Sequence, residues 1–291
     1  MNQIVIGGSK FSQISQKKLN YLLDHALTLG INQIDTSPYY GFSEEMIGKY
    51  QKINPYFRIN TKIGMPRLNA NSLDSKEIKN QLNASLNKLY VDKIETLFFH
   101  SVPNKLLSKT IIKTADNFKT LNYISSLGYS GDNENLKESL LIDNFDSYMV
   151  TVNALDVSDY FHIKNITGKS LYIKRPLANG VFKKTFTMHV KSQLRKSFNI
   201  ESKLSLNSYP GRYQRIFGEP RIANNDIFKF IQFLVYLQPN SKYVFGVSSK
   251  THLNEIVSTY NLVKNEVMPE LNHYLDMITK LTKEFKWRAL S

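Results

Sequence analysis

The chain contains no cysteine among its 291 residues. Disulfides and Cys-based metal sites are therefore excluded, and nothing ties the protein to an oxidising compartment. No apolar run approaches the ~20 residues that span a bilayer, and the opening MNQIVIGGSK lacks the basic start and long apolar stretch of a secretory signal. Acidic residues are in short supply: 24 Asp and Glu stand against 38 Lys and Arg, a formal charge of +14. A basic chain can serve nucleic acid, anionic membranes or phosphorylated ligands. Here the basic residues are scattered, and Lys183-Lys184 and the series Lys191, Arg195, Lys196 are their densest groups. The expectation is a cytoplasmic protein with no nucleic-acid partner, no membrane and no metal. Internal repeats and low-complexity linkers are also lacking, so one domain is expected over residues 1–291.

What is present is an alternation of short apolar runs and helical periods. Strands are expected at 4–6, 33–35, 57–62, 93–99, 123–129, 148–152, 170–174 and 243–247. Helices are expected at 16–29, 43–52, 74–90, 105–119, 133–140, 157–165, 224–237 and 251–264. Leu19, Leu22, Leu23, Ala26 and Leu29 recur at helical spacing in the first helix; Ile78, Leu82, Ser85, Leu86 and Leu89 do so in the third, with Asp74 or Ser75 as its cap. Strands separated by helices pair in parallel, because parallel strands need crossover connections. Eight such units fit a (β/α)8 TIM barrel better than an open sheet. Residues 183–221 break the rhythm and read as an insertion after strand seven, and a further helix is expected over about 270–285. Arg212, Arg215 and Lys191 in that insertion suit a basic surface, or an anionic ligand.

The strand exits carry ionisable residues: Asp35 on the second, Lys62 on the third and His100 on the fourth. In a β/α barrel these exits share one rim, so the three converge, together with Tyr40 on the turn after Asp35. A phenol is a poor proton donor at neutral pH, with an ordinary pKa near ~10. A neighbouring ammonium favours the phenolate and makes such a group a usable general acid. Lys62 would supply that charge, Asp35 would keep it charged, and His100 would orient a carbonyl oxygen. Singly, each residue has a plainer explanation, as a solvated rim lysine, a core histidine or a turn-capping aspartate.

Taken together, IDTSPYYGFSEEMIGK, INTKIG and SLNKLYVDKIETLFFH resemble three motifs of the aldo-keto reductase family, and LGYSGDNENL, VTVNALD, IKRPLANGVF and FGVSSKTHLNEIV resemble later segments in order. The resemblance implies a (β/α)8 barrel and reduction of an aldehyde or ketone, sugar-derived compounds included, by NAD(P)H. It places the catalytic tetrad on Asp35, Tyr40, Lys62 and His100, with Tyr40 as acid. It further implies cofactor contacts at Ser130, Arg175, Leu177, Ser248, Ser249, Lys250, His252 and Glu255, with NADP expected ahead of NAD. The partner is a small carbonyl substrate, and a monomer or weak oligomer is expected. The chain departs from the family pattern at Gly131, where an Asn is usual, and at Ile256, again in place of an Asn. A strand-six Gln is also missing, with Met149 or Thr151 in its region. Two other readings fit the barrel: a non-catalytic cofactor-binding or scaffold relative, and a non-redox enzyme acting on a sugar-like substrate.

Overall fold

Eight short strands, each dominated by apolar or alternating residues, close into one parallel barrel in sequence order. They are β1 (Ile4–Gly7), β2 (Gln33–Asp35), β3 (Arg58–Ile63), β4 (Ile94–His100), β5 (Ile124–Ser130), β6 (Ser147–Thr151), β7 (Ser170–Lys174) and β8 (Lys242–Gly246). The last strand returns to the first, with Ile4 opposite Tyr243 and Gly7 opposite Gly246. The computed structural model describes residues 3–64, 73–180, 209, 212–213, 216, 226–264 and 271–286. Most of the segment 183–221, Lys191 and Arg215 included, lies outside the described residues.

The helices among the described residues are α1 (Gln16–Thr28), α2 (Ser43–Gln51), α3 (Ser75–Leu89), α4 (Lys109–Thr120), α5 (Asn133–Ser139), α6 (Tyr160–Ile163), α7 (Asp226–Leu237), α8 (Lys250–Val263) and α9 (Leu271–Glu284). The expected limits differ most at two places. Ser108 accepts a hydrogen bond from the Ile111 N–H and caps α4, so the residues before it form a separate 3-10 turn, Asn104–Leu106. The helix expected over 157–165 is a single turn, because the Asp156 carboxylate accepts from the backbone and hydroxyl of Ser158 and holds an Asx turn there. None of the helices among the described residues is long and apolar enough to cross a membrane.

The chain divides into two compact units. The first comprises 1–150, 165–174 and 240–257 and holds the barrel strands, β6 but for Thr151. The second comprises 151–164, 175–239 and 258–291. In the second unit Arg212 is fully buried and forms a 2.9 Å ion pair with the equally buried Asp156. The expectation of an exposed or ligand-binding Arg212 is thereby overturned: its charge is spent on a carboxylate inside the fold. In the same unit Asn153 donates to the Arg175 carbonyl and to the Tyr209 hydroxyl, and Tyr274 donates to the Ala154 carbonyl.

Strand residues alternate between the barrel interior and the helix layer. Val5, Phe98, Met149, Tyr172 and Val244 form an apolar layer across the interior. Tyr172 also gathers polar groups from three strands: Gln33 and Lys242 donate to its hydroxyl, and Thr96 lies 3.2 Å from it. The exits one step above this layer are where Asp35, Lys62, His100, Ser130 and Lys174 stand.

Helix α2 seats the turn that follows β2, and its fit is tight. A Cβ on Gly48 would collide with the Lys88 carbonyl at the end of α3, so only glycine lets the two helices approach this closely. Glu44, in the first turn of α2, is 1% exposed, and its Oε1 accepts from the Thr61 hydroxyl at 2.6 Å. Burial pushes its carboxyl above the ordinary value of 4.5, and the Thr61 and Ser85 hydroxyls only partly offset this.

Two outcomes follow from this seat. Gly48→Ala should destabilise the fold by about 1–3 kcal/mol, the usual range for overpacking, read as a lower urea midpoint. An unchanged midpoint would refute the close approach of α2 and α3. For Glu44 the folded carboxyl is harder to ionise than the unfolded one. Its charge therefore opposes folding above the folded value, and the cost vanishes as pH falls below 4.5. Glu44→Gln should then raise stability at pH 7 and lose that advantage by pH 4. A gain of equal size at both pH values would contradict the buried charge.

Candidate active site

Asp35, 3% exposed, ends β2, and the chain then turns sharply before α2. The turn is fastened from two sides. Ser12, on the 3-10 segment after β1, donates to the Tyr40 carbonyl at 2.6 Å and accepts from the Phe42 N–H at 2.9 Å. Thr36 and Ser43 share a 2.8 Å hydroxyl contact, and Ser43 donates to the Gly8 carbonyl. Gly41 sits at φ +61 between these clamps, a left-handed conformation that favours glycine, and a side chain there would also meet Ser12. Tyr40 is thus presented on a turn with little freedom.

Lys62 reaches this turn from β3. Its ammonium donates to Asp35 Oδ1 at 2.9 Å, to Asp35 Oδ2 at 2.7 Å and to the Thr36 carbonyl at 2.7 Å. With both oxygens of a carboxylate and a carbonyl within 2.9 Å of its nitrogen, Lys62 is charged although it is only 1% exposed. Burial pushes its pKa down, but the Asp35 carboxylate and Tyr40 more than offset that, and it lies above the ordinary value. Burial raises the Asp35 carboxyl, against the pull of Lys62 and, less strongly, of Lys174. The same ammonium lies 5.0 Å from the centre of the Tyr40 ring.

His100 ends β4 and completes the group. Its Nδ1 is 3.3 Å from Ser37 Oγ, and its ring meets the edges of Tyr39 and Tyr40 at centroid distances of 6.1 and 6.2 Å. The four exit and turn residues singled out from the sequence therefore converge within the first unit. Ser37, Ser12 and Tyr39, which position them, were not legible as a set because each is a common residue on a polar turn.

The far side of the mouth holds a second ion pair that the sequence did not single out. Lys174, the last residue of β7, contacts Asp132, just beyond β5, at 3.0 Å, with side chains 16% and 3% exposed. Between Ser130 and Asp132 stands Gly131, where a Cβ would collide with the Tyr129 ring. That ring is held by the Tyr129 hydroxyl donating to the Val102 carbonyl at 2.7 Å, which explains why no Asn occupies position 131. Met149 belongs to the apolar interior layer. In the second unit, Thr151 accepts from the Arg175 guanidinium at 3.1 Å, and Leu177 is buried.

Of the other expected cofactor residues, Ser130 is buried and its carbonyl accepts from the Ser101 N–H. Ser248 and Ser249 are exposed before α8, and Ser249 caps it by accepting from the His252 N–H. Lys250 is directed elsewhere, with its ammonium 5.4 Å from the centre of the Tyr21 ring on α1. His252 is half-buried and Glu255 exposed on α8. Gly246, at the exit of β8, leaves its backbone open, the nearest atom to a Cβ there being Ser9 Oγ at 3.9 Å. A nicotinamide nucleotide fits this donor set: an approachable strand exit and helix start for phosphate, and a mouth with paired donor and acceptor groups for its polar ring. Beside Tyr39 lies a cavity of about 530 Å³, lined by Asp74, Lys76, Glu77, Asn80 and Gln81.

The barrel is shared with known proteins. An aldo-keto reductase from Bacillus halodurans superposes in its holo form with a TM-score of 0.72 and 19% identity, covering 95% of this chain and 91% of its own. Its apo form gives 0.68 and 18%, covering 91% and 87%. At such identity the likeness speaks for the barrel alone. The L-galactose dehydrogenase of Arabidopsis thaliana is 29% identical over 113 residues, 37% of this chain and 35% of that protein. The chain thus spans about a third of that relative's length in the match. The model of the Aldo/keto reductase family matches residues 3–271. With eight parallel strands closed into a barrel and that match running through nearly all of them, the chain belongs to the aldo/keto reductase family, a family of oxidoreductases.

Proposed function

We propose that the protein reduces a hydroxylated aldehyde or ketone to an alcohol with NADPH, ahead of NADH, and that Tyr40 is the proton donor. The single observation that carries this reading is the Lys62 ammonium, bound by three oxygens and held over the Tyr40 ring. The cofactor supplies a hydride to the carbonyl carbon, and the electrons of the C=O π bond move onto oxygen. Tyr40 passes its phenolic proton to that oxygen, which leaves a phenolate beside Lys62. The ammonium stabilises that negative charge in a water-poor setting, where a single charge counts for most. Asp35 keeps Lys62 protonated and in place. Ser37 lies 3.3 Å from His100 Nδ1, and in the tautomer in which it donates there, Nε2 carries the proton that holds the substrate carbonyl in line with Tyr40. Oxidation of the alcohol runs through the same groups in reverse.

Ser248 and Ser249 at the start of α8 are proposed to receive a phosphate of the cofactor, where the first-turn N–H groups and the helix dipole favour an anion. The hydroxylated substrate class is supported by the cavity beside Tyr39, whose amide and charged side chains suit hydroxyl groups, and by the partial likeness to L-galactose dehydrogenase. A cytoplasmic monomer or weak oligomer is part of the same proposal.

Absorbance of NADPH or NADH, followed with a panel of aldoses and simple aldehydes, tests the reading directly. Binding of neither cofactor at millimolar concentration would overturn it. Tyr40→Phe should lower turnover by about 10²- to 10⁴-fold, the usual share of a general acid, with cofactor affinity within a few-fold of the parent. Retained turnover would remove Tyr40 from its role. Lys62→Met should lose turnover similarly, and should also cost about 3–5 kcal/mol of stability because Asp35 is left as a buried unpaired charge.

A further inference from the structure

The Lys174–Asp132 pair is not used by the chemistry just described, yet it stands in the same mouth. Tyr172 faces the barrel interior, where it packs with Phe98 and meets groups from three other strands. Side chains alternate along a strand, so Lys174, two residues on, faces inward at the exit. Its charge lowers the Asp35 carboxyl, though less strongly than Lys62 does. Gly131 has no room for a side chain, so Asp132 is the polar group that the β5 exit contributes beyond Ser130. A buried ion pair adds little net stability, since desolvation offsets the attraction. Its presence at a catalytic rim calls for a ligand that uses both charges.

The ligand's chemistry follows from the pair. A phosphate or carboxylate would gain from Lys174 and be repelled by Asp132. The reacting oxygen of a carbonyl substrate is already taken up by Tyr40 and His100, and a further substrate hydroxyl carries its donor and its acceptor on a single atom. A primary amide carries an acceptor and a donor on neighbouring atoms and matches a lysine and an aspartate that lie 3.0 Å apart. An ammonium has three protons and a carboxylate two oxygens, so their mutual contact does not by itself exhaust either group.

We propose that Lys174 and Asp132 are positioning residues that grip the carboxamide of the cofactor's nicotinamide, Lys174 donating to its oxygen and Asp132 accepting from its NH2. The grip fixes the ring in its own plane and so decides which face is turned to the substrate carbon. This rests on the nicotinamide reading above.

Calorimetric titration of the full chain tests it with three compounds: NADP, its 3-acetylpyridine analogue, in which the NH2 is a methyl group, and 2′-phospho-ADP-ribose, which lacks the ring. The parent should bind NADP about 10- to 100-fold more tightly than the acetyl analogue, the range for one hydrogen bond to a charged group. Lys174→Met/Asp132→Leu replaces the pair by apolar groups of similar volume, a change that buried pairs often tolerate. In that variant the discrimination should fall to within about twofold while 2′-phospho-ADP-ribose affinity is unchanged. Equal affinity of the parent for NADP and the analogue would overturn the grip without any variant being needed, as would full discrimination in the double variant. Failure of all three compounds to bind the parent, with the NAD series failing too, would overturn the cofactor reading itself.

Discussion

A buried ammonium with three oxygen partners is the constraint around which the barrel mouth is built. Lys62 lies at 1% exposure, and a charge so placed is tolerated only when its protons are all taken up. Asp35 supplies two acceptors, and the Thr36 carbonyl supplies the third only because the chain turns immediately after β2. The turn in turn depends on Ser12, Gly41 and Ser43. Each element of the local structure therefore has an electrostatic reason. A looser turn would leave one proton of Lys62 without a partner, and with it the ordered position of Tyr40.

The barrel's interior is divided by chemistry rather than filled with apolar groups throughout. An apolar layer that includes Phe98, Met149 and Val244 separates the Tyr172-centred polar groups below from the charged mouth above. This floor restricts water beneath the mouth and lowers the local dielectric, which strengthens each interaction made there. The charges of the mouth are arranged as two acid–base pairs, one on β2 and β3 and one bridging the exits of β5 and β7. Within these two pairs the charges cancel.

Much of this was legible before any coordinates. Strand and helix limits follow from the alternation of short apolar runs with helical periods, because each strand must be apolar on the face beneath a helix. Asp35, Tyr40, Lys62 and His100 were legible because they stand at or just after strand exits within three compact motifs. What was hidden depends on closure. Lys174 and Asp132 are far apart in sequence and adjacent only once β5 to β7 take up their places. Glu44 stands in the first turn of α2, and only the packing of that helix against Thr61 buries it. Arg212 resembled surface charge, and its buried partner, Asp156, lies 56 positions earlier.

The clamp on the Tyr40 turn also bears on the order in which the molecule matures. Ser12 follows β1 directly, and β1 is held between its neighbour β2 and β8, the last strand of the barrel. Every residue of β1 is paired with one in the segment Tyr243–Gly246, so the strand that carries the clamp is secured by the most distant contacts in the sheet. Loop closure over such a separation is slow compared with local helix or turn formation. During synthesis the Tyr40 turn thus exists as a sequence long before it exists as a geometry. Its clamp is complete only when enough chain has been made for the barrel to close.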